Sequence, residues 1–231
     1  MNFEDVVVVV TGASKGIGLT LANILSKYQA KVIGVYNSTK IKTQDFDTYK
    51  CNVSNEKEVE KLVKYVNEKY GKIDVVVNCA ALALDADIYD KSGKEFLEVL
   101  NVNLVGPFLM SKYASKIMNN GVIINVSSTD AQDTYDTLSM DYAASKAGIE
   151  NLTKNLAQRF PKIKVCALAP AWVNTQTVLN MDPKYLQQQL AKHQQKELLK
   201  KEDVALKIIE MIINNDDYIS GDIVRMDRNY E

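Results

Sequence analysis

A chain of 231 residues, 46% of them apolar, is long enough for one domain with a sizeable core. Its 28 basic and 29 acidic residues leave a net charge of −1, which removes any broad electrostatic case for nucleic acid or a membrane surface as partner. Cys51, Cys79 and Cys166 have no paired spacing, so neither a disulfide nor a metal site is expected, and free thiols in a reducing cytoplasm are.

Strands and helices alternate from the start. Val6 to Val10 is a β-branched run, the pattern of a strand buried on both faces. The run is short and acidic residues precede it, so it is neither a signal peptide nor a membrane span. Thr11-Gly12-Ala13-Ser14-Lys15-Gly16-Ile17-Gly18 then opens a helix expected to reach about Tyr28, and Lys31 to Tyr36 forms a second strand. A glycine turn between first strand and first helix suits a dinucleotide pyrophosphate, because the backbone can approach closely and the helix end offers free N–H groups. The bland alternative is a tight turn that needs glycine for positive φ. An acid should close the second strand if the cofactor is NAD. Here the chain reads Val35-Tyr36-Asn37-Ser38-Thr39, with Lys15 available to face a 2′-phosphate, so the charges favour NADP over NAD.

Residues 37–47 are polar, and a helix there is doubtful. Tyr49 to Val53 is expected as the third strand, and Ser54 or Asn55 caps a helix stopped by Gly71. Ile73 to Val77 is a fourth strand, followed by Asn78-Cys79-Ala80-Ala81. A long helix over about Gly93 to Met118 holds Asn103 and Gly106-Pro107, and the proline predicts a kink near Asn103. Val122 to Val126 is the fifth strand, ending at Ser127-Ser128. The loop to Asp141 carries Asp130, Asp133, Asp136 and Asp141 and no cation.

Next comes Tyr142-Ala143-Ala144-Ser145-Lys146. Tyrosine and lysine four apart share one helix face. A phenol with a pKa near ~10 is a poor acid or base at neutral pH, and a close ammonium favours its phenolate. Lowering that pKa by about three units corresponds to roughly 4 kcal/mol. The spacing occurs three times among the twelve tyrosines, but Tyr36/Lys40 and Tyr65/Lys69 read as solvated surface. Only the third pair opens a helix of small residues that another body can approach. Lys164 to Ala169 is a sixth strand ended by Pro170, residues 171–201 form a mostly helical substrate lid, Asp203 to Ile213 a last helix, and Ile223 to Met226 a seventh strand. His193 is read as solvated. The whole is an α/β, doubly wound Rossmann fold in one domain with a seven-stranded parallel sheet.

These motifs, in this order, resemble the short-chain dehydrogenase/reductase family across essentially the whole chain. Thr11 to Gly18 is similar to its T-G-x-x-x-G-x-G turn, Asn78 to Ala81 to N-N-A-G, Asn103 to Gly106 to its asparagine motif, and Pro170 to Thr175 to P-G-x-V-x-T. Within the family the opening residues and Lys31 to Val35 look most like bacterial 3-oxoacyl-acyl-carrier-protein reductases. The resemblance implies a catalytic tetrad of Asn103, Ser128, Tyr142 and Lys146. In it Ser128 binds the substrate carbonyl, Tyr142 supplies the proton, Lys146 lowers the Tyr142 pKa and holds the nicotinamide ribose, and Asn103 positions a relay water. It implies cofactor contacts at Gly12, Ser14, Lys15, Gly16, Ile17 and Gly18 of the turn, at Asn37, Asn52, Val53, Asn78 and Ala80, and at Tyr142, Lys146, Pro170, Val173 and Thr175.

Departures from the family pattern are Ala81, Ala171, Asn52, the segment Met226-Asp227-Arg228-Asn229, and one extra residue between Ser128 and Tyr142. None removes a reacting group. The expected activity is NADP(H)-dependent reduction of a ketone or 3-oxoacyl thioester in the cytoplasm, by a homotetramer. An acyl carrier protein is a possible partner but is disfavoured, because the Asp-rich loop would repel it. An NAD-dependent secondary-alcohol dehydrogenase and a non-catalytic nucleotide sensor are the alternatives.

Overall fold

The computed structural model describes residues 3–132 and 136–227. Asp133 of the acidic loop and Arg228 and Asn229 of the C-terminal motif lie outside the described residues. The elements are β1 (Val7–Thr11), α1 (Gly16–Lys27), β2 (Lys31–Tyr36), β3 (Asp47–Lys50), α2 (Glu56–Tyr70), β4 (Val75–Asn78), α3 (Gly93–Leu100) and α4 (Gly106–Ala114). They continue as β5 (Gly121–Val126), α5 (Met140–Arg159), β6 (Ile163–Pro170), β7 (Val173–Asn174), α6 (Gln176–Leu179), α7 (Pro183–Lys192), β8 (Leu199–Lys200), α8 (Lys201–Ile213) and β9 (Ile223–Met226). Seven strands form one parallel sheet in the order β3-β2-β1-β4-β5-β6-β9, as expected. The order reverses between β1 and β4, and in such sheets the crevice beyond the strand ends at that point receives ligands.

The sheet is apolar because both faces are covered. Val8 and Val10 point to α1 and α8, packing with Leu21, Leu25, Ile208 and Ile209. Val7 and Val9 point to the other layer, packing with Leu62, Val66, Met110 and Ala157 from α2, α4 and α5. Burying each such valine contributes roughly 1.5–3 kcal/mol.

Four expectations are adjusted. The third strand is Asp47–Lys50, so Asn52 and Val53 follow the strand instead of lying in it. Asp47 pairs with Ile33, while its carboxylate takes hydrogen bonds from Lys69 (2.5 Å) and Tyr70, and these long-range ties draw the polar start of the strand onto the sheet. The break in the long helix is a π-helical turn, Asn101–Val105, between α3 and α4; Pro107 begins the next helix where its missing N–H costs nothing. Pro170 is the last residue of β6, paired with Met226, not its terminator. His193 is half-buried, its ring edge-on to Trp172 at 6.2 Å, because residues 171–201 fold back through the two-residue strands β7 and β8.

Other expectations stand. Asn55 caps α2 by accepting from Glu58 N at 3.3 Å, and Gly71 ends it in the left-handed region. No helix joins β2 to β3. Instead the loop folds inward, with Ile41 buried and the Phe46 ring so close over Gly34 that a Cβ there would meet it at 2.6 Å. Among the described residues no helix is long and apolar enough to cross a membrane.

Candidate active site

A cleft of about 530 Å³ opens at the carboxyl ends of the strands, beside the switch in strand order. One end is built by the glycine turn. Thr11 Oγ1 accepts from Cys79 N (3.0 Å) and Ala80 N (3.1 Å), locking the turn to the segment after β4. Gly12 has φ of 69°, and a Cβ there would stand 2.7 Å from Ala80 Cα, so only glycine fits. At Gly18 a Cβ would stand 2.5 Å from the Gly12 carbonyl oxygen, which ties the turn to the first turn of α1. The α1 N-terminus carries no acid in its first turn and no side-chain cap, so its N–H groups and positive dipole end face the cleft. These features fit a dinucleotide pyrophosphate.

Ser14, Lys15, Gly16 and Ile17 line this end with Gly12 and Gly18, as expected, and so do Asn37, Asn52, Val53 and Ala80. Asn52 is oriented by accepting from Ser54 N (3.1 Å) and Ser54 Oγ (2.7 Å). Lys15 Nζ reaches across the cleft to Thr177 Oγ1 at 3.3 Å. Pro170, Val173 and Thr175 complete the wall.

Asn78 is not in the wall. It is buried, donating to Asn125 Oδ1 at 2.8 Å, and Asn125 donates to Thr153 Oγ1 at 2.9 Å, so the expected cofactor contact is an internal tie between β4, β5 and α5.

The other end of the cleft holds the candidate reacting groups. Ser128, Tyr142 and Lys146 all line it, delivered by the end of β5 and the first turns of α5. Lys146 is buried, donates to the Val126 carbonyl at 2.7 Å, and holds its ammonium 5.3 Å from the Tyr142 ring centroid. Burial pushes its pKa down to about 8. Tyr142 moves the other way: burial first, then the negative charge of Asp130, raise its pKa, against a hydrogen bond with Ser128. The lowering expected from Lys146 does not prevail over burial and Asp130: the ammonium is hydrogen-bonded to a main-chain carbonyl and lies over the ring. Ser128 Oγ donates to Asp130 Oδ2 at 3.1 Å.

Asn103 is buried behind the wall. Its Oδ1 accepts from Leu82 N at 2.7 Å, and its Nδ2 donates to Leu82 O (2.9 Å) and to Ser145 Oγ (3.0 Å). The amide thus fastens the loop after β4 to α5, one residue from Lys146. Its side chain is occupied by that tie, which leaves the expected water relay without a polar atom of Asn103 in the cleft wall.

Sequence reasoning missed Asp85 and Thr177 as wall residues, and placed Trp172 and Met181 only in the excursion that covers it. Trp172 is fixed by Gln195, a buried side chain that donates to Trp172 O (2.8 Å) and accepts from Trp172 N (3.0 Å). No spacing rule reaches across those residues. Of the two spacings set aside as surface, Tyr65/Lys69 serves the Asp47 ion pair.

A parallel doubly wound sheet, a glycine turn against a helix N-terminus, and a serine, tyrosine and lysine on one cleft define the class of nucleotide-dependent oxidoreductases. More narrowly, the chain belongs to the short-chain dehydrogenase/reductase family, for a family described as enoyl-(acyl carrier protein) reductase matches residues 12–230. A 3-oxoacyl-[acyl-carrier-protein] reductase FabG of Thermotoga maritima is 30% identical, with 98% of each chain covered. An uncharacterized oxidoreductase of the same organism is 35% identical over 74% of this chain and 73% of its own. Among solved structures, a Thermoplasma acidophilum aldohexose dehydrogenase superposes with a TM-score of 0.89 at 27% identity, covering 99% of this chain and 94% of its own. A Burkholderia cenocepacia short-chain dehydrogenase in complex with NADP also reaches 0.89, at 23% identity and with 98% of both chains covered, a likeness of fold.

Proposed function

We propose that this oxidoreductase is an NADP(H)-dependent carbonyl reductase acting on a partly apolar ketone or 3-oxoacyl thioester in the cytoplasm. The observation that carries this reading is the meeting of Ser128, Tyr142 and Lys146 on the cleft that the glycine turn also builds. The bound cofactor supplies the hydride; the protein supplies orientation, a proton and charge. Ser128 holds the carbonyl oxygen and Tyr142 gives it a proton. The raised Tyr142 pKa keeps the phenol protonated, which is the form reduction needs. Lys146 offsets the charge left on the phenolate, and Asn103 is a positioning residue that keeps α5 and the loop after β4 in register. Residues 171–201 act as the substrate lid.

The deciding assay is oxidation of NADPH and NADH against a panel of ketones and 3-oxoacyl thioesters, with Tyr142→Phe alongside. Alcohol oxidation by the same groups is the second reading, favoured by the fold and 27% identity of the aldohexose dehydrogenase. Faster turnover of NAD with secondary alcohols than of NADPH with ketones would establish that reading instead.

The cofactor preference rests on Lys15 and on the absence of an acid at Tyr36-Asn37-Ser38. Lys15→Ala is expected to weaken NADPH about tenfold and to leave NADH within about twofold, as read by fluorescence titration, because only NADPH offers a phosphate to pair. Equal losses for both cofactors would place the 2′-phosphate elsewhere.

The Lys146 pKa of about 8 gives a pH prediction with two opposite signs. For reduction, kcat/KM should fall as pH rises through about 8, because the ammonium that offsets the phenolate is lost. Stability should do the reverse. The folded pKa lies below that of an exposed lysine, so the unfolded chain binds more protons between those values, and this group's contribution favours folding increasingly as pH rises from about 8. A kcat/KM profile flat to pH ~10 would remove Lys146 from the step.

Assembly as a homotetramer is supported by outward-facing apolar side chains on the α3–α4 segment: Leu97 is 59%, Val105 36% and Phe108 44% exposed. Light scattering at micromolar protein is expected to give four times the chain mass, and a monomer mass would rule the assembly out.

A further inference from the structure

The substrate end of the cleft is lopsided in charge. Asp85, Asp130 and Asp136 line it, Glu98 adds a fourth carboxylate to the wall, and among the described residues the only cations in the whole wall are Lys15, at the glycine turn, and Lys146, buried beneath Tyr142. Two of the three aspartates are oriented by their neighbours. Asp130 accepts from Ser128 Oγ, and Asp136 accepts from Tyr185 Oη (2.5 Å) of α7 and from Leu138 N (3.0 Å). Asp85 takes no hydrogen bond from any described residue. The residue is exposed at the mouth, where partial desolvation and then the charge of Asp136 push its pKa up, with Lys91 opposing, yet Lys91 Nζ is committed to Asp141 at 2.8 Å. Like charges on one wall repel one another and lower their energy by meeting a cation. The rest of this wall, with Leu82, Ala83, Trp172, Val178 and Met181, is largely apolar. A polyol would need hydrogen-bonding partners along its length, and an acyl chain on an anionic carrier would meet repulsion at the mouth.

We infer that the substrate taken here carries a positive charge: a ketone, or the matching secondary alcohol, with a protonated or quaternary amine on an otherwise apolar skeleton. Asp85 is the specificity-determining residue, with Asp136 and Asp130 adding to the field around it. This rests on the carbonyl-reductase reading above for the chemistry, though not for the charge preference.

The test compares a trimethylammonium ketone with its tert-butyl isostere, equal in shape and different only in charge, as substrates with NADPH. The cationic ketone is expected to have a kcat/KM roughly ten- to a hundredfold higher, falling toward parity in Asp85→Asn and reversing in Asp85→Lys, and the preference should weaken at high salt. NADPH affinity, measured on the same variants, reports that each has folded. Equal or better turnover of the neutral isostere, of a polyhydroxy ketone or of a 3-oxoacyl thioester overturns the inference, as does a preference that Asp85→Asn leaves intact. If neither ketone turns over, it is the reductase reading that has failed. The charge preference is then decided by calorimetry on the NADP-loaded protein, with the trimethylammonium alcohol against its tert-butyl isostere. Selective binding of the cation supports it, and equal binding overturns it.

Discussion

Tyr142→Phe is expected to lower the rate of NADPH-dependent carbonyl reduction by about a thousandfold while changing NADPH affinity little. The substitution removes one oxygen and keeps the ring on which the Lys146 ammonium sits at 5.3 Å, so the wall of the cleft and the fold around it should persist. What disappears is, among the described residues, the only tyrosine hydroxyl in this wall beyond Tyr36 at its far end, and with it the proposed proton donor. A stopped-flow single turnover would place the loss in the chemical step. Activity that survives would transfer the donor role to Ser128 or to water held between Ser128 and Asp130.

The second large effect is on stability. Lys91 and Asp141 form an ion pair at 2.8 Å, with side chains only 10% and 0% exposed. Lys91 also donates to the Leu84 carbonyl, and Asp141 Oδ1 accepts from Tyr142 N at 2.9 Å. One buried pair therefore ties the loop after β4 to the first turn of the helix bearing the reactive tyrosine. Lys91→Met leaves the Asp141 carboxylate buried without its partner, which should cost about 3–5 kcal/mol. For a chain of this size that is a fall in melting temperature of roughly 10 °C. Adding Asp141→Asn removes the uncompensated charge and keeps the acceptor for Tyr142 N, so the double variant should regain most of the loss in a thermal melt. A single variant that melts within about a degree of the parent would show that the pair does not hold the loop.

Much of this was readable in the residues. The valine run of β1, the glycine turn and the Tyr142/Lys146 spacing are local patterns, and each reflects physics acting within a few residues: burial on two faces, positive φ, one helix face. The order of elements and the seven parallel strands follow from their alternation. What the sequence hid depends on partners far along the chain. The start of β3 was set by Asp47 meeting Lys69 and Tyr70 across more than a turn of helix and a loop. Asn78 looked like a cofactor contact, and only the positions of Asn125 and Thr153 show it to be an internal tie. The break expected near Asn103 is there, at Asn101–Val105, but its π-helical form was not legible from Pro107. The Lys91–Asp141 pair joins residues fifty apart, beyond any periodicity.

The loop between β2 and β3 has a consequence of its own. Because no helix crosses there, the surroundings of the adenosine half of a cofactor are made by a short stretch pinned at Ile41 and Phe46, with Tyr36, Asn37 and Ser38 facing the cleft. The end of the cleft that holds Ser128, Tyr142 and Lys146 is made by different connections, those following β4, β5 and β6. The molecule is in this sense modular. Exchange of residues 37–40 for a segment with an acid at its start is expected to alter which dinucleotide is chosen without reaching the substrate end of the cleft. Choice of cofactor and choice of substrate should then be separable in this scaffold.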